Sequence, residues 1–177
     1  MKRFVIACAA VLVASFAGAS SASAQGNFVW LGGSATVPIG DSGDALKTGY
    51  LLDFGFGRPI NEKLGLQIGG LYGSSDAKTG TGSIDLLGGS VGLGYNFTTE
   101  AMLNPYVLGS VGMMQSDNGV TDAESEFMFQ IGAGLFKTLS TRFGFWAEAR
   151  YLSAGSGNTK LTLVPVAAGI SITLGGN

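Results

Sequence analysis

Large apolar residues alternate with small or polar ones along most of the chain from Asn27 onward. In the second such segment the large apolar positions are Tyr50, Leu52, Phe54 and Phe56. The positions between them hold Gly49, Leu51, Asp53, Gly55 and Gly57. A period of two is typical of β-strands whose two faces meet different surroundings, and no segment shows sustained helical periodicity. The pattern therefore predicts an all-β chain.

Turn-forming clusters of Gly, Asp, Ser and Asn divide this pattern into eight predicted strands. We place them at 27–37, 48–58, 63–73, 83–97, 104–115, 125–137, 141–153 and 160–174. Each is about as long as a tilted strand that crosses a bilayer, for which roughly 9 to 11 residues suffice. Three tight connections alternate with four longer ones, as in transmembrane barrels. We predict an eight-stranded antiparallel up-and-down transmembrane β-barrel, with both termini and the tight turns in the periplasm.

The same alternation would suit a soluble, lipocalin-like barrel with its apolar face inside. The opposite face favours the membrane alternative. It is largely Gly, Ser and Ala with a few isolated polar residues, whereas a solvated exterior should be rich in Lys, Glu and Thr. Small residues fit the crowded interior of an eight-stranded barrel, which side chains nearly fill. The faces of strands 5 and 8 stay unassigned, because Pro105, Met113, Met114 and Pro165 blur their patterns.

Aromatic residues near the predicted strand ends have two interpretations. They could form girdles at the two membrane interfaces, or simply reflect the preference of aromatic residues for strands. The residues concerned are Phe28, Trp30, Tyr50, Tyr95, Phe97, Tyr106, Phe143 and Tyr151.

The first residues have the layout of a secretory signal peptide. Lys2 and Arg3 precede an apolar run, and Ala22-Ser23-Ala24 offers a cleavage site. We predict a signal peptide over 1–24 and an outer-membrane β-barrel domain over 25–177. Cys8 lies inside the apolar run, too early for a lipoprotein cleavage site, so we expect it to be removed with the signal. Since the chain has one cysteine, the mature domain has no disulfide.

Composition narrows the class of protein further. The chain has 30 glycines, 46% hydrophobic residues and only 12% charged residues, about half the charged share of an ordinary soluble domain. Removing Lys2 and Arg3 changes the formal net charge from −2 to −4, because 8 basic residues then face 12 acidic ones. A net negative charge argues against a nucleic-acid partner.

Three motifs carry a resemblance to a known family. They are Gly92-Leu93-Gly94-Tyr95-Asn96-Phe97, Asn104-Pro105-Tyr106-Val107 and Trp146-Ala147-Glu148-Ala149-Arg150-Tyr151. With the strand pattern over 26–174, the chain resembles the outer-membrane β-barrel domain family, which includes small porin-like proteins and the barrel of outer-membrane protein A. The resemblance implies the bacterial outer membrane as location, and its lipid and the barrel assembly machinery as partners. Members commonly end on an aromatic residue, whereas this chain ends Leu174-Gly175-Gly176-Asn177.

Enzymatic chemistry has few candidate residues here. The chain contains no histidine, which excludes Ser-His-Asp triads and His-based acid/base catalysis. Without His or a mature Cys, zinc is also disfavoured. We therefore expect no enzymatic activity, no cofactor and no metal site.

Polar residues on the inner face form the candidate functional site. Glu148 and Arg150 on strand 7 share that face with Asp53 on strand 2. Charges inside a narrow barrel need partners, so we interpret these residues as a polar network that plugs the lumen. The alternative, suggested by the resemblance, is a gate in a narrow solute path. The full candidate set is Asp53, Gln67, Asn96, Gln130, Glu148 and Arg150.

A second candidate is an acidic loop at the presumed extracellular end, with Asp117, Asp122, Glu124 and Glu126. Its spacing does not match an EF-hand, so we interpret it as a solvated loop rather than a calcium site. The function predicted overall is an outer-membrane barrel with a structural or surface-interaction role, monomeric and with its lumen plugged by polar side chains. A narrow porin and a soluble periplasmic ligand-binding barrel are the alternatives.

Overall fold

Eight antiparallel strands form a closed barrel in which each strand pairs with its sequence neighbours and β8 pairs with β1. This computed structural model describes residues 26–98, 103–119, 124–155 and 160–174. The elements are β1 (Asn27–Pro38), α1 (Asp41–Ala45), β2 (Gly49–Pro59), β3 (Leu64–Asp76), β4 (Ser83–Asn96), β5 (Asn104–Asp117), β6 (Glu124–Thr138), β7 (Phe143–Ala154) and β8 (Leu161–Leu174). The predicted eight-stranded up-and-down architecture is confirmed.

The predicted strand limits differ from the observed ones by at most three residues. The largest difference is at the end of β3, which continues to Asp76. Ser74 to Asp76 have the composition of a loop, but they extend the ladder by pairing with Ser83 to Asp85 of β4. The five-residue helix α1 was not predicted. Within the described residues, no helix is long and apolar enough to cross a membrane.

The barrel has two distinct ends, which we call the turn end and the loop end. The turn end holds the tight β2–β3, β4–β5 and β6–β7 connections, together with the N-terminal end of β1 and the C-terminal end of β8. Asn61 shows why these connections are tight. Its Oδ1 accepts hydrogen bonds from the backbone N–H groups of Lys63 and Leu64 at 2.9 and 2.8 Å, which is the local side-chain bonding that favours Asn in turns.

At the loop end, the segment containing α1 is tied to its neighbours. Ser42 is buried; its hydroxyl donates to the carbonyl oxygen of Lys160 at 3.3 Å and accepts from the N–H of Thr162 at 2.9 Å. Leu46, only 4% exposed, forms a β-bridge with Ala77. These contacts hold the first connection against β8 and against the segment between β3 and β4.

Large apolar side chains cover the outer face of the barrel. Leu52, Val91, Phe127, Ile131 and Ile170 are 46 to 61% exposed, although Phe56 on the same face is buried. The inner face carries the glycines and polar residues predicted for it. The lipocalin-like alternative is therefore wrong about orientation, because it needs these large apolar side chains inside.

Candidate functional site in the barrel lumen

The loop-end half of the lumen is filled by apolar side chains from seven strands, which we call the apolar layer. Its members are at most 3% exposed. They are Leu51, Leu71, Leu86, Met114, Met128, Leu152, Ala154 and Leu163. The sequence predicts a lumen plugged by polar side chains, so this layer is an unpredicted part of the interior. Leu51 is already among the inner positions of strand 2 in the sequence pattern, but the prediction of a plug considered only the polar residues of that face.

Next to the apolar layer, on the side of the turn end, a group of polar side chains surrounds Arg150. Arg150 Nη2 lies 2.6 Å from Asp53 Oδ1, and Arg150 Nη1 donates to Gln130 Oε1 at 3.0 Å. Arg150 Nε lies 3.0 Å from Glu148 Oε1, but this contact is an ion pair without hydrogen-bond alignment. We call these four residues the Arg150 cluster. All four had been selected from the sequence, and the structure brings them together.

The Arg150 cluster reaches across the lumen. Asp53 is on β2 and Arg150 is on β7, and β8 and β1 lie between these strands around the barrel wall. The two side chains are 4% and 9% exposed. A charge-assisted hydrogen bond of this length is among the stronger polar contacts in proteins. The contact therefore fixes the relative positions of two strands that share no backbone hydrogen bonds.

Two further residues belong beside the cluster and were missed from the sequence. Tyr106 donates its hydroxyl proton to Glu148 Oε2 at 2.6 Å. Ser34 donates to Asp53 Oδ2 at 3.4 Å. Ser34 could have been found from the alternation of strand 1, since it lies among outward-facing Gly33 and Ala35. Tyr106 had no such signal, because the pattern of strand 5 is blurred at Pro105.

The turn-end half of the lumen is hollow and contains a cavity of about 770 Å³. The cavity extends from the Arg150 cluster to exposed turn residues such as Asn61 and Glu62. We call it the turn-side cavity. Gln67 and Asn96 line it, and no described hydrogen bond joins either of them to the Arg150 cluster. The structure thus places these two predicted residues in the same lumen but nearer the turn end.

Aromatic rings line the turn-side cavity because inward-facing glycines leave room for them. A Cβ on Gly55 would lie 2.3 Å from the ring of Trp30, and one on Gly57 would lie 2.1 Å from the ring of Phe28. Trp146 covers Gly32 and Gly169 in the same way. A side chain at any of these glycine positions would overlap the ring. Glycine therefore lets each ring lie against the backbone of the barrel wall.

These positions correct part of the girdle interpretation. Phe28, Trp30 and Tyr106 line the turn-side cavity and do not face the membrane interface. Tyr95 and Phe143, in contrast, are 40% and 49% exposed on the outer face, as a girdle requires. The girdle interpretation was wrong for Phe28 and Trp30 because these residues alternate with Val29 and Leu31. Both faces of strand 1 are apolar there, so the pattern does not indicate which face is inside.

The acidic segment is not a single loop. β6 begins at Glu124, so Glu126 belongs to a strand; Asp122 and the side chain of Glu124 lie outside the described residues. Asp117 Oδ1 accepts a hydrogen bond from the N–H of Gly119 at 2.8 Å, which stabilises the turn. Among the described residues, no three Asp, Glu, His or Cys side chains group together as metal ligands would.

Comparison with known proteins agrees with this architecture. The sequence matches the outer membrane protein beta-barrel domain over residues 6–175. The chain belongs to this family, whose members are barrels of the bacterial outer membrane. The match includes most of the predicted signal segment, which lies outside the described residues. No curated protein sequence is significantly similar to this one.

Solved structures share the fold at low sequence identity. Neisserial surface protein A is 17% identical with a TM-score of 0.70, over 88% of this chain and all of that one. OprG from Pseudomonas aeruginosa is 17% identical with a TM-score of 0.56, over 85% and 96% of the two chains. Ail, the attachment invasion locus protein of Yersinia pestis, is 14% identical with a TM-score of 0.53, over 85% and 99%. At these identities the likeness concerns the fold alone.

Proposed function

We propose that this protein is a closed outer-membrane barrel with a structural or surface-interaction role, and that its lumen does not conduct ions. The apolar layer is the observation that carries the proposal. Its side chains are 0 to 3% exposed, and the buried Thr36 of β1 is 1% exposed, so little room is left at that level for a hydrated ion. An ion would have to lose its hydration shell to pass, at a cost of many kcal/mol.

The Arg150 cluster supports the same proposal as a second barrier in series. Its charged groups are held by one another at 2.6 to 3.0 Å. Opening a path at this level would separate buried opposite charges, which costs about 3–5 kcal/mol when one partner is lost. We interpret the cluster as a plug; a gate would also need a way through the apolar layer.

The remaining parts of the proposal concern the cell. The chain is exported by the signal peptide over 1–24, inserted by the barrel assembly machinery and held as a monomer in outer-membrane lipid. The loop end faces outward, where the anchored α1 segment presents a defined surface for contact. The named neighbours include an attachment protein, which is compatible with a surface role but does not supply a partner.

Conductance and thiol labelling test closure together. Residues 25–177 contain no cysteine, so single cysteines give clean signals after refolding into lipid vesicles. Ser110→Cys lies on the wall of the turn-side cavity, and its neighbour Val111 is 48% exposed on the outer face. A small charged, membrane-impermeant thiol reagent should label Ser110→Cys from the turn end only. Val111→Cys is the matched control and should stay unlabelled in lipid.

Each measurement has a clear contrary result. A heat-shifted band on a denaturing gel verifies folding, and trypsin cleavage at exposed Lys47 reports which end faces outward. We expect no single-channel steps in planar bilayers. Regular conductance steps, or labelling of Ser110→Cys at equal rates from both ends, would show an open lumen and favour the narrow-porin alternative.

A further inference from the structure

The turn-side cavity has the size and the lining of a small-molecule site. Its volume of about 770 Å³ lies within the range of roughly 300–1,000 Å³ that is usual for ligand pockets. It ends at the Arg150 cluster, beneath the apolar layer, so a ligand would enter and leave at the turn end. We propose that this cavity binds a small organic cation with an apolar or aromatic body.

The walls suit such a ligand because they are aromatic. Phe28 and Trp30 lie side by side, with ring centroids 5.9 Å apart and planes inclined by 42°. Trp146, Phe136 and Tyr106 also line the cavity. The face of an aromatic ring is negative and attracts ammonium groups, most strongly when water is excluded. The same rings also provide apolar contact area for the rest of the ligand.

The charge of the lining has the complementary sign. In the Arg150 cluster two carboxylates, Asp53 and Glu148, share one guanidinium, which leaves one formal negative charge. At the mouth, Glu62 and Arg142 cancel each other. Both carboxylates have a polar partner, but the cluster as a whole keeps a net formal charge of one negative unit. Net charge in a buried site is unfavourable, so a cation in the cavity would complete the charge balance. An anion would add repulsion, and a neutral ligand would leave the imbalance unchanged.

An unpaired acceptor gives an independent indication. Asn104 lines the cavity and is 8% exposed. Its Oδ1 is buried without a hydrogen-bond partner, and such groups are costly unless a donor is supplied. A ligand with N–H groups could supply one after a rotation of the amide. This inference depends only on the turn-end half of the lumen, so it does not require the loop end to be closed or open.

Tryptophan fluorescence can report binding directly. The chain has two tryptophans, and both Trp30 and Trp146 line the cavity. Refolded residues 25–177 would be titrated with benzylammonium, with benzyl alcohol as neutral analogue and benzoate as anionic analogue. We expect a saturable change with benzylammonium and at least tenfold weaker binding of the other two. A signal that never saturates, or equal binding of benzyl alcohol, would overturn the proposal.

A charge substitution tests the electrostatic part. Glu148→Gln keeps the shape and the acceptor for Tyr106 but removes the excess negative charge. It should weaken benzylammonium binding at least tenfold. Asp44→Asn makes the same change of charge on exposed α1 at the loop end, and it should change binding less than twofold. Equal affinity of Glu148→Gln and the original chain would refute the assigned role of this charge.

A cavity-filling pair keeps the test independent of the cluster's stability. A Cβ on Gly65 would meet only the backbone oxygen of Arg58, at 3.6 Å, so Gly65→Leu should fold and project into the cavity. Gly33→Leu is the matched control on the outer face, where the nearest atom is 3.8 Å away. We expect Gly65→Leu to abolish saturable binding and Gly33→Leu to retain it. Unchanged binding in both variants would place the ligand outside the cavity.

Discussion

The depth of Ile131 in the barrel wall gives a quantitative test of the membrane orientation. Ile131 is the eighth of the 15 residues of β6 and is 61% exposed on the outer face. With a rise of about 3.4 Å per residue and a tilt of about 40°, each end of β6 is about 18 Å from Ile131 along the barrel axis. The apolar band of such barrels is about 25 Å tall, so Ile131 lies near its middle.

Ile131→Arg should therefore destabilise the folded protein in lipid by about 2–4 kcal/mol, the cost of an arginine near the midplane on a lipid-facing strand. Ile60 supplies the matched control. It is 56% exposed, almost as much as Ile131, but it lies in the β2–β3 turn. Ile60→Arg should cost about 0–1 kcal/mol, as arginine does near the interface. The two substitutions share chemistry and exposure and differ in depth.

The assay is equilibrium urea unfolding of the refolded proteins in vesicles, followed by tryptophan fluorescence and by the heat-shifted gel band. If both substitutions cost the same, or if Ile131→Arg costs less than about 1 kcal/mol, the outer face of β6 is not in the hydrocarbon region. That result would refute the orientation assigned to the barrel, because an exposed isoleucine in water can be replaced by arginine at little cost.

Two further predictions concern the lumen. Arg150→Met leaves Asp53 and Glu148 buried without their guanidinium and should destabilise the barrel by about 3–5 kcal/mol. The triple neutral variant, which also carries Asp53→Asn and Glu148→Gln, should recover most of this loss. A triple variant as unstable as the single one would contradict the charge argument. Leu152→Ala, at a position with 0% exposure, should lower the free energy of unfolding by about 2–5 kcal/mol. Leu135→Ala on the lipid-facing side should lower it clearly less, because lipid can fill the gap. Equal costs would show that the apolar layer is loosely packed.

The sequence predicted the barrel well because each strand reports its own two faces. Along β2, the contrast between large residues such as Leu52 and small ones such as Gly55 places every side chain inside or outside without knowledge of the partners. Strand ends followed from the turn residues and were accurate to three residues or better. Where both faces are apolar, as at Phe28 and Val29, this contrast vanishes, and the girdle interpretation of Phe28 and Trp30 was wrong.

The sequence pattern does not predict the height of a side chain along the barrel axis. Alternation placed Asp53 and Arg150 on the inner face, but whether they meet depends on the stagger of successive strands. That stagger is the sum of all pairings around the barrel, and each register depends on many weak contacts. The separation of the interior into an apolar layer, a charged cluster and a cavity therefore emerged only from the structure.

The Asp53–Arg150 contact has a consequence for assembly. It joins β2 to β7, the strands that flank the seam where β1 meets β8, and its partners are 97 residues apart in sequence. A half-inserted sheet with an open seam cannot form this contact and would leave Asp53 without its guanidinium, although Arg150 would keep Glu148, its neighbour on β7. The closed barrel is thereby favoured over an incomplete one. We expect the pairing of β1 with β8 to coincide with the formation of the Asp53–Arg150 ion pair.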